Sequence, residues 1–96
     1  MDIALVDKGK DTIEVEFRDT AAYVLLEPLR ERLLADETVD MASVDADHPL
    51  YGKKHLFVRV KSGKPQNAIK RALRDLGEGY GEMLKLVERS KDTKEG

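Results

Sequence analysis

Four strands and two helices in the order ββαββα, packed as a two-layer α+β sandwich, are the fold this chain predicts, and three observations predict it. Residues 12–17 and 56–60 alternate side to side with the period of two that a half-buried strand requires. Residues 22–33 and 69–87 repeat apolar side chains at three- and four-residue steps, the stripe of an amphipathic helix. The segments between these runs are short, which favours a four-stranded, mainly antiparallel sheet with both helices on one face.

Ile3 to Val6 form a short apolar run, and Thr12 to Phe17 place Ile13, Val15 and Phe17 on one face. The intervening DKGKD carries a glycine among charged residues, a hairpin turn. Asp19 or Thr20 can accept from the free amides of the next element's first turn. There Ala22, Leu25, Leu26, Leu29 and Leu33 form the stripe and Leu34 widens it. Pro28 lies within it. In a helix running from Ala21 a proline there removes an internal hydrogen bond at about 3 kcal/mol, so either the helix kinks or its regular part begins at Pro28. A kinked helix is the expectation, because a late start strands Leu25 and Leu26 in a loop.

Val39, Met41 and Ser43 alternate with Asp40, Ala42 and Val44, and Leu56, Val58 and Val60 with Phe57 and Arg59, so the polar segment Asp45 to Lys54 joins two strands. Lys61 to Lys64 turn the chain, and Pro65 stands where a helix starts. From Ile69 the seam Ala72, Leu73, Leu76, Tyr80, Met83, Leu84 and Val87 keeps helical spacing almost to Ser90, across Gly77, Gly79 and Gly81. Each glycine costs about 1 kcal/mol against alanine inside a helix. They either break the helix or let another backbone approach closely. Residues 1–89 are expected to form one domain, with 90–96 a polar, frayed tail.

If continuous from Pro65 to Arg89, that helix is roughly 37 Å long, whereas a domain of this size has a radius of gyration of only about 12 Å. It is then expected to overhang its own sheet and carry Tyr80, Met83, Leu84 and Val87 to a partner surface. The alternative is that the glycines bend the segment back and make the stripe ordinary core.

Among 96 residues, 38% are charged and 41% hydrophobic, there is no cysteine, and the net charge is −2. Disulfides, thiolate metal sites and cysteine nucleophiles are therefore excluded. The absence of an apolar run near 18 residues and of a basic-then-apolar leader leads to the expectation of a cytoplasmic protein without a membrane span. From Lys53 to Arg74 there are eight Lys or Arg and no Asp or Glu, a flank that either is a solvated face or touches phosphates. Asp45, Asp47 and His48, before Pro49 and Leu50, form the one cluster with chemical character. It is a divalent-ion or acid–base site on one reading, and turn-forming loop architecture on the preferred one. His55 has no evident partner in sequence. Glycine-rich phosphate loops, nucleophile elbows and paired histidines at helical spacing are missing, so no catalytic, cofactor or metal residues are assigned.

Leu29-Arg30-Glu31-Arg32-Leu33-Leu34-Ala35-Asp36, Val39 with Ala42-Ser43, His48-Pro49-Leu50, and Pro65 with Ala68 and Ala72, in this order and spacing, resemble the L subunits of archaeal DNA-dependent RNA polymerase. That family is related to the small α-like eukaryotic subunits and the dimerisation domain of the bacterial α subunit. The resemblance runs from about Asp2 to Arg89. It implies a non-catalytic assembly subunit that pairs with a larger, D-like α subunit through its two helices, as a platform for the large catalytic subunits. Residue by residue, it implies an interface of Leu25, Leu26, Leu29, Leu33, Leu76, Tyr80, Met83, Leu84 and Val87, with His48, Pro49 and Leu50 as a structural loop. It implies no cofactor and no sequence-specific nucleic-acid contact, and it leaves the isolated chain either a monomer or a substitute homodimer through the same helices. The chain departs from the family's His-Thr-Leu-x-Asn-like start to the first helix, reading Tyr23-Val24-Leu25-Leu26-Glu27 and then Pro28. The alternative is a stand-alone nucleic-acid or ligand-binding module using the basic flank, with binding that weakens steeply in salt. An enzyme using Asp45, Asp47 and His48 is the third possibility.

Overall fold

Residues 3–48 and 52–95 are described by the computed structural model. Strands β1 (Ile3–Asp7), β2 (Thr12–Phe17), β3 (Val39–Ala46) and β4 (Lys54–Val60) form one antiparallel sheet in the order β1-β2-β4-β3. The expected hairpin joins β1 to β2, with the Lys8 amide donating to the Thr12 carbonyl at 3.1 Å. The period of two does its work in the centre of the sheet: Ile13, Val15 and Phe17 of β2 and Leu56, Val58 and Val60 of β4 all point into the core. In β3 the expected alternation is corrected. A bulge between Val39 and Met41 shifts the phase, so Val39 is buried with Ala42, while Met41 and Ser43 pair with Arg59 and Phe57 on the other face.

The first helical segment is neither one kinked helix nor a helix starting at Pro28. It is a single turn, α1 (Thr20–Tyr23), followed by α2 (Leu26–Leu34), with Val24 and Leu25 between them. Breaking there leaves Pro28 in the third position of α2, where its missing N–H has no helical acceptor to lose. Leu26, Leu29 and Leu33 then face the core, and Val24 is 74% exposed.

The second helical segment also breaks. Helix α3 (Pro65–Leu76) starts at its proline as expected and ends at Gly77, which adopts φ 96° and ψ −157°. That conformation is open almost only to glycine. One 3₁₀ turn (Glu78–Tyr80) leads into α4 (Gly81–Glu95). The backbone stays helical past Arg89 because S-K-D-T-K-E contains no glycine or proline. The expected overhang is thereby overturned: the longest extent of the domain is 35 Å, and α4 packs on α3 and reaches β1. A straight helix from Pro65 to Glu95 would need about 46 Å. Close backbone approach is not the reason for the glycines, since a Cβ added at Gly77, Gly79 or Gly81 meets nothing within 4 Å.

The helical layer lies on one face of the sheet, with α2 against β3, α3 across β4 and β2, and α4 against β1. The core between the layers is Leu26, Leu29, Leu33, Ala68, Ile69, Ala72, Leu73, Tyr80, Met83 and Val87 against the inward residues of the strands.

Candidate partner interface

The nine side chains expected to meet a partner divide into two groups. Leu26, Leu29, Leu33, Tyr80, Met83 and Val87 are buried within the single chain, the last two with Leu29 and Leu33 at 0% exposure. Leu25, Leu76 and Leu84 are only partly buried, packed against the edge of the core. The reason is the break at Gly77, which turns the C-terminal half of the seam onto the same core that its N-terminal half covers. Between α2 and α3 an open groove is lined by Pro28, Glu31, Arg32, Ala35 and Leu76. Leu34, half exposed, lies close by in sequence on α2.

Polar contacts that help hold α4 and the turn before it in place include two involving Tyr80 and Glu88. The Tyr80 hydroxyl donates to the Leu25 carbonyl at 3.4 Å, and burial raises the pKa of that phenol. On the surface, Arg74 Nη2 of α3 meets Glu88 Oε2 of α4 at 3.2 Å. Both side chains of this pair are well exposed, so it contributes at most about 1 kcal/mol.

Asp45, Asp47 and His48 do not converge on one site. Asp45 accepts from the Ala46 amide at 2.9 Å, whereas Asp47 turns away to His55. Pro49 and Leu50, the rest of the expected structural loop, lie outside the described residues. Among the described residues no group of three or more His, Cys, Asp or Glu side chains is disposed to hold a metal ion.

Sequence reasoning missed what His55 does. Its Nδ1 meets Glu14 Oε2 of β2 at 2.5 Å and its Nε2 meets Asp47 Oδ1 at 2.8 Å, and the ring stacks on Phe57. Ionised carboxylates only accept, so an imidazole between two of them must donate from both nitrogens and carry the proton. Burial works against that charge, but the bonds to Asp47 and Glu14 outweigh it and hold the His55 pKa above its ordinary value. The His55 bond, aided by the Lys53 amide, holds the Asp47 carboxyl below the ordinary range. The sequence shows only the alternation that puts Glu14 and Glu16 on one face of β2; the register that sets Glu16 opposite His55, with Glu14 one step along the same face, comes from the tertiary structure. Tyr23 ties the same loop to α1, its hydroxyl donating to the Gly52 carbonyl at 2.8 Å with Lys54 Nζ over its ring.

Half of the basic flank is paired with carboxylates in place. Lys53 pairs with Glu16, Arg59 with Asp40, Arg71 with Asp36 and Arg74 with Glu88. These residues fall on different elements and both layers.

Residues 12–86 match the family model of the RNA polymerase Rpb3/Rpb11 dimerisation domain. The chain is 41% identical over 81 residues to DNA-directed RNA polymerase subunit Rpo11 of Thermoplasma acidophilum, covering 84% of this chain and 72% of that protein. It is 39% identical over 87 residues to Rpo11 of Thermoplasma volcanium, covering 91% and 78%. The crystal structure of DNA-directed RNA polymerase subunit L from Thermoplasma acidophilum superposes with a TM-score of 0.67 at 36% identity, covering 98% of this chain and 92% of that one.

Proposed function

Because the chain belongs to the family of RNA polymerase Rpb3/Rpb11 dimerisation domains, we propose that it is a non-catalytic assembly subunit of a DNA-directed RNA polymerase. In this reading it forms a heterodimer with a D-like α subunit through its helical layer, and the pair is a platform for the large catalytic subunits. The family match across residues 12–86 carries the reading, since it takes in the sheet from β2 onward, the first helical stripe and the second as far as Leu84. The composition of the helical layer supports it: Leu76 lines the α2–α3 groove, and Leu25 and Leu84 are likewise left only partly buried at the edge of the core. In this reading the chain does no chemistry itself, and the cluster of His55 with Glu14 and Asp47 serves to tie strands and a loop together.

Coexpression with the D-like α subunit of the same organism tests the proposal. A one-to-one pair that survives gel filtration at micromolar concentration is the expected result. Two separate species at that concentration would remove it.

A further inference from the structure

We propose that His55 is a proton-operated latch: while its ring is charged it holds Asp47 to the sheet, and when the ring is neutral Asp47 lets go and the tie from the β3–β4 loop to α1 loosens with it.

The ring is held at both nitrogens. Nδ1 meets Glu14 Oε2 at 2.5 Å and Nε2 meets Asp47 Oδ1 at 2.8 Å, so the two bonds together need the charged form. A neutral imidazole has one N–H, and its other nitrogen turns a lone pair toward a carboxylate. Only one of the two bonds then survives, and the surroundings decide which. The Glu14 side chain is 11% exposed and also pairs with Lys8 Nζ at 3.4 Å, whereas the Asp47 side chain is 53% exposed. Water replaces the lost donor at Asp47, but a carboxylate stripped of its donor at Glu14 would stay nearly buried. The neutral ring therefore keeps its proton on Nδ1, for Glu14, and releases Asp47.

Release at Asp47 travels because that residue binds both arms of the loop. Its Oδ2 accepts from the Lys53 amide at 3.4 Å, and its own amide donates to the Lys53 carbonyl at 3.0 Å. Gly52 lies so close that a Cβ there would stand 2.9 Å from the Asp47 Cβ. The Gly52 carbonyl in turn accepts from the Tyr23 hydroxyl at 2.8 Å, and Lys54 Nζ stands 4.8 Å from the centre of the Tyr23 ring. Tyr23 ends α1, a helix of four residues, too short to keep its shape without tertiary contacts. A proton on the open face of the sheet is thereby read at the first turn of the helical layer.

The charges around the ring favour the closed latch. Besides Glu14 and Asp47, β3 places Asp45 opposite His55, and β2 places Glu16 there, itself paired with Arg18 and Lys53. From β1 only Ala4 and Val6 stand opposite Glu16 and Glu14. Burial of the ring opposes its charge, but the bonds to Asp47 and Glu14 outweigh it and raise the pKa. The latch thus stays closed to a higher pH than an isolated histidine would allow, and opens as pH rises through the raised value.

An NMR titration of the isolated wild-type chain tests this. The His55 ring, the Lys53 amide and the Tyr23 ring are expected to share one midpoint. Above it the ring nitrogens report the Nδ1–H tautomer, and the exchange protection of the Lys53 amide, corrected for the intrinsic rate at each pH, falls about five-fold. In Asp47→Asn the His55 ring still titrates, but the responses at Lys53 and Tyr23 vanish, because a carboxamide accepts from the charged ring and donates to the neutral one. That variant separates the latch from a through-space effect of the ring's charge, which it would retain. Tyr23→Phe keeps the response at Lys53. An Nε2–H tautomer above the midpoint, Lys53 protection that ignores it, a Tyr23 ring that ignores it, or an unaltered response in Asp47→Asn overturns the latch. Each of these outcomes leaves the pairing with a D-like α subunit untouched.

Discussion

His55 Nε2 lies 2.8 Å from Asp47 Oδ1, a bond that closes the β3–β4 loop onto the sheet from a strand position eight residues further along the chain. Its strength depends on pH at both ends. The folded-state pKa of His55 is raised, so its contribution is complete below about pH 6.5, the unfolded value, and is lost as pH rises through the higher folded value. For Asp47 the folded pKa is depressed, so its contribution is present above about 3.8 and fades as pH falls through the lower folded value. Other charges near the ring belong to Glu14, with its partner Lys8, and to Asp45 opposite it on β3; Glu16 and Lys53 are also close by. An NMR titration of the His55 ring in the folded chain is expected to give a midpoint above 6.5. Asp47→Asn should lower it, and a wild-type midpoint at or below 6.5 would contradict the clamp.

Asp36 organises the junction of α2, β3 and α3. Its Oδ1 accepts from the Thr38 amide at 2.9 Å and from the Thr38 hydroxyl at 2.8 Å, while its Oδ2 meets Arg71 at 2.9 Å. Partial burial opposes ionisation, but the Thr38 bonds and Arg71 outweigh it and lower the Asp36 pKa. Asp36→Ala is expected to cost about 1–2 kcal/mol in urea unfolding at neutral pH, because it orphans a turn amide. Arg71→Ala removes only a half-exposed cation and costs under about 1 kcal/mol. Equal losses would show that the ion pair rather than the turn is the stabilising part.

Pro28 distinguishes a broken from a kinked helix. Leu29 donates to the Leu25 carbonyl at 3.2 Å, the first bond of α2, so the nitrogen of Pro28 sits among amides that no helix satisfies. Pro28→Ala is therefore expected to change stability by less than about 1 kcal/mol. A gain near 3 kcal/mol, the penalty for an interior proline, would mean that the regular helix begins before Val24.

Core and margin should separate in a mutational test of pairing. Leu29 is wholly buried, and Leu29→Ala is expected to cost about 2–5 kcal/mol in the isolated chain. Leu84→Glu, at a partly buried position beside the core, should leave a folded monomer with native far-UV circular dichroism while weakening the heterodimer at least about ten-fold, the equivalent of 1.4 kcal/mol. Unchanged pairing in Leu84→Glu would move the interface away from this margin.

Hydrophobic period determined which segments of this chain are strands and helices and, outside β3, which faces they bury, because alternation and helical stripes are properties of neighbours a few residues apart; the family resemblance rested instead on particular residues in order, from Leu29 to Asp36, His48-Pro49-Leu50, and Pro65 with Ala68 and Ala72. Pro65 and the hairpin around Gly9 were legible for the same reason: a proline or a glycine restricts or frees its own backbone wherever it sits. Three features waited for the tertiary structure. Glu14 and His55 are separated by 41 positions and meet only through the register of β2 on β4. The bulge at Val39 is a choice of pairing, visible only beside β4. The direction of α4 was open because Gly77 can end a helix or continue one at modest cost, so local preference leaves both shapes close in free energy. The apolar surface that α3, β1 and their neighbours offer to Tyr80, Met83 and Val87 decides between them in the isolated chain.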